Sequence, residues 1–258
     1  MPFTHCDGVR IHWRADGPAE APALILVGSL GSDLHVWDPV VDGLARSFRV
    51  IRIDKRGHGA SESPPGDYSM QRLGLDVLAV ADAVGAATFH YAGVSIGGMI
   101  GMWLAQNHPQ RLSRLVLSNT TAHVDPSGYG ERIASVRAHG MTSVADTVIA
   151  RWFTPGYAGR HPAHHAAVRQ ALLSIDPTGY TGCCAAIRDM TIEARLAGIQ
   201  VPTLVIAGSL DLSTPAEQGR RIAAAIPGAR YLELPTPHLS HPELPERFVD
   251  EVTRFLLD

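Results

Sequence analysis

Residues 88 to 107, TFHYAGVSIGGMIGMWLAQN, change their hydrophobic period within three positions. The run TFHYAGV is β-branched, aromatic or small, as a buried strand prefers, whereas GGMIGMWLAQN repeats apolar side chains at helical spacing. Ser95 therefore stands at a strand-to-helix corner, with Gly93 and Gly97 on either side in the pattern G-x-S-x-G. So sharp a corner strains the backbone at the serine and leaves no room for side chains beside it, which is the physical need for the two glycines. The corner lifts the Ser95 hydroxyl above a sheet edge. It also puts the first N–H of the helix, that of Ile96, where it can meet a developing oxyanion. A serine N-cap beside packing glycines would give the same five letters, but a nucleophile corner needs a strand before and a helix after, and both are present.

The rest of the chain repeats the same alternation. Apolar runs at 23–28, 48–54, 88–94, 112–120, 201–208 and 229–234 read as strands, and HVWDPVVDGLARS, MQRLGLDVLAVADAVG and GMIGMWLAQNHPQR read as amphipathic helices. The order implies an α/β fold, a mostly parallel sheet covered by helices on both faces. FTHCDGVRIHWRADG looks like an antiparallel hairpin on one edge, turning at Asp7-Gly8. Between 122 and 198 the strand signal vanishes, and patterns such as GMTSVADTVIARWF and GYTGCCAAIRDMTIEARL are helical. The expected organisation is a core of residues 1–121 and 199–258 with a helical cap of residues 122–198.

Composition closes off several function classes. Lys and Arg number 22 against 25 Asp and Glu, a net charge of −3, with no basic block or aromatic-interleaved stripe, so nucleic acid is not an expected partner. The opening MPFTHCDGVRIHWRADG has no apolar signal core, and no run approaches a membrane span, so a soluble, cytoplasmic chain is expected. Cys6, Cys183 and Cys184 are an odd count with two adjacent members, which suits reduced thiols better than disulfides or a zinc site.

A serine hydroxyl is a weak nucleophile at neutral pH, so a base must take its proton and a third group must hold that base. LVIAGSLDLSTP places Asp211 just past a strand, where a carboxylate can accept from an imidazole; capping the helix near Thr214-Pro215 is its other use. After the next strand, RYLELPTPHLSHPE offers His238 and His241. His241 precedes Pro242 and reads as a solvated residue at the start of the last helix, which leaves His238 as the base. The order Ser, Asp, His is the order this architecture uses. A second oxyanion donor is expected from ILVGSLGSDLHVW, where small residues let the backbone approach a substrate and Leu30 supplies the N–H. GSLGSD does not satisfy G-x-G-x-x-G, so a dinucleotide loop is not expected. In DKRGHGAS, Asp54, Arg56 and His58 are expected to brace a loop near the site.

GSLGSDLHVWDP, DKRGHGAS, GVSIGGMIG, GSLDLSTP and PHLSHPE together resemble the α/β-hydrolase superfamily over nearly the whole chain. SLGSDLHVWDP, HGMTSVADTVIARWFTP and CCAAIRDM are similar to the 3-oxoadipate enol-lactonases of bacterial protocatechuate degradation. The resemblance implies Ser95 as nucleophile, Asp211 as acid, His238 as base, Leu30 and Ile96 as oxyanion amides, and no metal or organic cofactor. Gly28 stands where relatives commonly carry Asn or His, and Pro237 where Gly, Ala or Ser is usual.

The implied substrate is a small lactone with a free carboxylate, so the cap should supply a cation or dense hydrogen bonds. Arg132, Arg151 and Arg188 are the cap arginines nearest apolar runs, and Trp152 is either a pocket wall or cap core. Serine at the corner speaks against a haloalkane dehalogenase, which needs Asp there. A general carboxylesterase, a carbon–carbon bond hydrolase and a cofactor-free haloperoxidase would keep the same triad, and a lactone-binding receptor would not need it.

Overall fold

The computed structural model describes residues 2–258, so Met1 of the expected core lies outside the described residues. In chain order the elements are β1 (Phe3–Cys6), β2 (Val9–Asp16), β3 (Ala23–Val27), α1 (Asp38–Leu44), β4 (Arg49–Ile53), α2 (Met70–Ala83), β5 (Phe89–Val94), α3 (Ile96–Asn107) and β6 (Leu112–Ser118). There follow α4 (Pro126–His139), α5 (Thr142–Trp152), α6 (Tyr157–Arg160), α7 (Pro162–Leu173) and α8 (Pro177–Arg188). The chain then returns through β7 (Thr203–Gly208), α9 (Ala216–Ala225), β8 (Arg230–Leu234), α10 (Ser240–Glu243) and α11 (Pro245–Leu257).

One eight-stranded sheet runs in the order β1-β2-β4-β3-β5-β6-β7-β8. β2 pairs antiparallel with β1 and β4, and the other pairs are parallel. Asp7 and Gly8 both have positive φ (53° and 74°), the backbone a two-residue hairpin turn needs. From β3 the chain steps to β4, then crosses back past β3 to β5. Right-handed crossovers therefore place α1 on one face and α2 and α3 on the other. α11 packs on α1, and α2 on α3. Both faces being covered, the central strands are almost wholly buried, which is why their sequences are runs of apolar residues rather than alternations. The crossover direction changes between β3 and β5, so a crevice opens at the carboxyl ends of these neighbouring strands.

All of α4 to α8 lies between β6 and β7. α4 packs on α8 and α5, and α5 and α6 on α7. This helical layer meets the core at one very close point. A Cβ on Gly57 would lie 2.3 Å from the Gly179 Cα, and a Cβ on Gly179 would lie 2.2 Å from the Gly57 Cα. Beside it, the Tyr68 N–H donates to the Gly182 carbonyl (3.1 Å). α8 is thus seated backbone to backbone on the loop after β4.

Gly57 also has φ of 76°, so Gly57→Ala meets both conformational strain and the Gly179 backbone. It is expected to lose about 3 kcal/mol of stability, a melting shift of roughly 10 °C in calorimetry at fixed scan rate. Gly130→Ala, in α4 with no atom within 4 Å of the added Cβ, is expected to be neutral or to gain up to about 1 kcal/mol. Equal melting temperatures for Gly57→Ala and wild type would show that this contact can open without cost.

Candidate active site

β5 ends at Val94, and α3 begins at Ile96, so the whole change of direction falls on Ser95. Its φ of 59° and ψ of −119° lie where L-residues are strained. The surroundings hold it there. The Ser95 N–H is shared between the carbonyls of Ser118 and Asn119 (both 3.1 Å), and its carbonyl accepts from Thr120 Oγ1 (2.7 Å). The neighbouring glycines are spatially required: a Cβ on Gly93 would sit 2.2 Å from the Gly97 carbonyl carbon, and one on Gly97 would sit 2.1 Å from the Val27 oxygen.

Asp211 follows β7 and His238 follows β8, and the His238 Nδ1 lies 2.9 Å from Asp211 Oδ2 with both side chains buried. The carboxylate also accepts from the backbone N–H of Ser213 (2.7 Å) and Thr214 (3.0 Å), from Thr214 Oγ1 (2.7 Å) and from Asn119 Nδ2 (3.2 Å). Burial pushes the Asp211 carboxyl up, but the neighbouring His238 and the hydrogen bonds from His238 and Thr214 outweigh it, and the group is held below the usual carboxylate range. With the carboxylate as acceptor, the His238 proton sits on Nδ1 and Nε2 is free to take another. Ser95 Oγ and His238 face one cavity, with no hydrogen bond between them in this substrate-free geometry.

Leu30 lies on the loop after β3, beside the Ser95 corner. Three bonds from the loop after β4 fix that segment. The Gly31 N–H donates to His58 Nε2 (2.9 Å), Lys55 Nζ to the Ser32 carbonyl (3.1 Å), and the Leu34 N–H to Asp54 Oδ1 (2.6 Å). Arg56 is itself anchored to Asp76 of α2 by two 2.6 Å bonds. Burial pushes the His58 imidazole well down, which keeps it neutral and able to accept from Gly31. Burial likewise pushes Lys55 down, to about 8. The N–H groups of Leu30 and Ile96 have no acceptor among the described residues.

The shared cavity has a volume of about 350 Å³. Ser95, Leu30, His238 and Thr214 form its floor, and Arg132, Arg151, Trp152, Tyr129 and Tyr180 reach it from the helices between β6 and β7. Arg132 has no carboxylate partner among the described residues, and its guanidinium lies over the Tyr129 ring (5.4 Å to the centroid). The buried Tyr180 hydroxyl, close to Arg132 but short of hydrogen-bond geometry, is without a partner among the described residues. Burial pushes this phenol far up, so it remains a neutral donor. Trp152 is both pocket wall and buried core. Among the described residues no group of three or more His, Cys, Asp or Glu side chains could hold a metal ion.

Two expectations need correction. Arg188 is not in the cavity: its guanidinium is turned to Asp189 (2.7 Å) and Asp67 (3.1 Å), beside a separate depression. His241 is not solvated but fully buried, stacked on Trp37 (4.3 Å between centroids) with Nε2 2.9 Å from the Val36 carbonyl. Burial pushes it down to about 3, so it is neutral and donates from Nε2. Sequence reasoning also missed Asn119, whose amide holds Asp211 and the Pro237 carbonyl (3.1 Å) while its oxygen accepts from Ser118 and Ser240 (both 2.8 Å). Its φ of 44° is a conformation asparagine tolerates, and SNTT at a strand end was the available signal.

Because the folded pKa of Asp211 is depressed, its stabilisation is complete above the unfolded value of about 3.9 and is lost as pH falls through the folded value. Asp211→Asn removes this acid-labile contribution. Urea midpoints taken from about pH 7 to about pH 3 are expected to show wild type losing its advantage over Asp211→Asn only on the acid side of about pH 4. A gap that stays constant over this range would mean that ionised Asp211 contributes nothing to the fold.

A family model described as alpha/beta hydrolase fold matches residues 22–163. The 3-oxoadipate enol-lactonase 2 of Acinetobacter baylyi is 34% identical over 93% of this chain and 90% of its own. The crystal structure of the enol-lactonase from Burkholderia xenovorans LB400 superposes with a TM-score of 0.97 at 40% identity, covering 100% of both chains. A protein of Agrobacterium fabrum provisionally named carbamate hydrolase RutD is 29% identical over 96% of this chain and 97% of its own. By these matches the chain belongs to the α/β-hydrolase family and is a hydrolase.

Proposed function

We propose that this hydrolase opens 3-oxoadipate enol-lactone to 3-oxoadipate in the cytoplasm, as a step in bacterial aromatic degradation by the protocatechuate route, with Ser95, His238 and Asp211 as its triad. The observation that carries the substrate assignment is the Arg132 guanidinium. It faces the cavity with no carboxylate partner among the described residues, next to a Tyr180 hydroxyl that has no hydrogen-bond partner among them. A permanently charged, planar donor beside a free O–H is suited to a substrate carboxylate. The likeness to enol-lactonases supports the ring on which that carboxylate is carried. The helices of residues 122–198 then act as the cap that reads the substrate, and Arg151 lies at the cavity wall as a weaker, more exposed cation.

In this reading His238 Nε2 takes the Ser95 proton as Oγ attacks the lactone carbonyl, and Asp211 stabilises the imidazolium. The oxyanion is met by the N–H groups of Leu30 and Ile96, which have no other acceptor among the described residues. Collapse breaks the ring C–O bond and expels an enolate, a better leaving group than an alkoxide; its oxygen takes the proton from His238 Nε2 to become the enol, which leaves the imidazole neutral again. Water activated by His238 then attacks the acyl-enzyme, returning the proton to Ser95 and releasing the carboxylate. The enol product tautomerises to the ketone.

Steady-state turnover of the enol-lactone, followed by its ultraviolet absorbance, is expected to fall about 10⁴-fold or more in Ser95→Ala. In Arg132→Met, kcat/KM for the lactone is expected to fall about tenfold to a hundredfold, with a much smaller loss for p-nitrophenyl acetate, which has no carboxylate. Hydrolysis of p-nitrophenyl acetate without any turnover of the lactone would leave the serine chemistry standing and overturn the lactonase reading.

A further inference from the structure

The last turn of a helix leaves carbonyls without intrahelical donors. At the end of α5 two of them are taken by the histidine loop itself. The Arg151 carbonyl accepts from the His238 N–H and the Trp152 carbonyl from the Leu239 N–H, both at 3.3 Å. Two residues on, the chain is fixed again by Glu243 of α10. This carboxylate accepts from the Thr154 N–H (2.7 Å) through Oε1 and from Thr154 Oγ1 (3.1 Å) and Arg160 Nη2 (3.1 Å) through Oε2. Its side chain is only 5% exposed, so it is committed to these bonds rather than to solvent.

Arg151 and Trp152 line the cavity, and His238 stands at its floor. The wall that would meet substrate and the imidazole that would act on it thus share one hydrogen-bonded ribbon, clamped at its far end by Glu243. From this we infer that Glu243 is a positioning residue: by holding Thr154 it fixes the end of α5, and through the Arg151 and Trp152 carbonyls it sets where His238 stands. The inference rests on His238 being the base, but not on the identity of the lactone. It makes the α5 end a fixed part of the catalytic framework, so any motion admitting substrate belongs to other parts of the helical layer.

The experiment compares wild type, Glu243→Gln, Glu243→Ala and Glu243→Asp in two readouts. The first is kcat and KM for p-nitrophenyl acetate, too small to depend on the carboxylate subsite. The second is the far-downfield proton NMR resonance of the His238 Nδ1–H in substrate-free protein, assigned by its loss in Asp211→Asn. Gln retains an oxygen at Oε1 for the Thr154 N–H and is expected to stay near wild type in both. Ala is expected to lose about tenfold to a hundredfold in kcat, with KM within about twofold, and to broaden or lose the resonance. Asp keeps the charge but cannot reach Thr154, and is expected to behave like Ala; it carries the test if Ala does not fold. Wild-type kcat and an unshifted resonance in the folded Ala or Asp variant would overturn the inference. Failure of the lactone assignment would leave both readouts unchanged, and failure of the serine reading would appear as esterase activity surviving Ser95→Ala.

Discussion

The left-handed backbone at Ser95 is the constraint to which the rest of the site is fitted. A serine stays in that conformation, at a cost of about 1–2 kcal/mol, only if the surrounding peptide groups over-determine it. Here the determinants come from the end of β6, the next strand, and the two residues after it. The carbonyls of Ser118 and Asn119 hold the Ser95 N–H, and the Thr120 hydroxyl holds its carbonyl. Asn119 then carries the same constraint onward. Its N–H donates to the Ile206 carbonyl of β7, and its side chain ties Asp211 to the loop bearing His238. Three residues far apart in sequence, the proposed nucleophile, acid and base, are therefore positioned through one asparagine, and strain at the first is balanced by bonds that also place the other two.

The core was legible because its two periods are unmixed. Strands buried on both faces are written mostly in apolar residues, as in ALILV of β3 and TLVIAG of β7, and α2 carries a clear apolar stripe between them. The helical layer was legible only in part. α5 and α8 bury a broad face and were visible, whereas α4, PSGYGERIASVRAH, buries only Ile133 and Val136 and has two glycines in its first turns. Its ends carry helix signals, Asp125-Pro126 before and Gly140 after, but its middle has no apolar stripe. It exists because α8 and α5 offer it a surface.

Within the site, Ser95, Asp211, His238 and Leu30 were readable because each follows a strand, and the topology brings those strand ends together. What could not be read was pairing across distance. Arg132, Arg151 and Arg188 all stand beside apolar runs of the cap. Arg188 is held by Asp189, its neighbour in the chain, together with the distant Asp67, whereas Arg132 finds tyrosines. His241 illustrates the same limit. A histidine before proline reads as an exposed helix entry, but Trp37 and the Val36 carbonyl, some 200 positions away in sequence, make it a buried, neutral donor.

DKRGHG shows how buried polar groups serve a site they never touch. Asp54, Lys55, Arg56 and His58 are all nearly inaccessible, and replacing such groups by apolar ones in a core is often neutral or favourable to stability. Their use here is directional. Apolar packing can fill the space behind the loop after β3, but only acceptors and donors at fixed places can orient successive peptide groups, and His58, Lys55 and Asp54 do this at Gly31, Ser32 and Leu34. The histidine can serve as an acceptor only while neutral, and burial depresses its pKa well below neutrality. The hydrogen bond from the Gly31 N–H to His58 is thereby insulated from changes of pH near neutrality, because the imidazole stays an acceptor throughout that range.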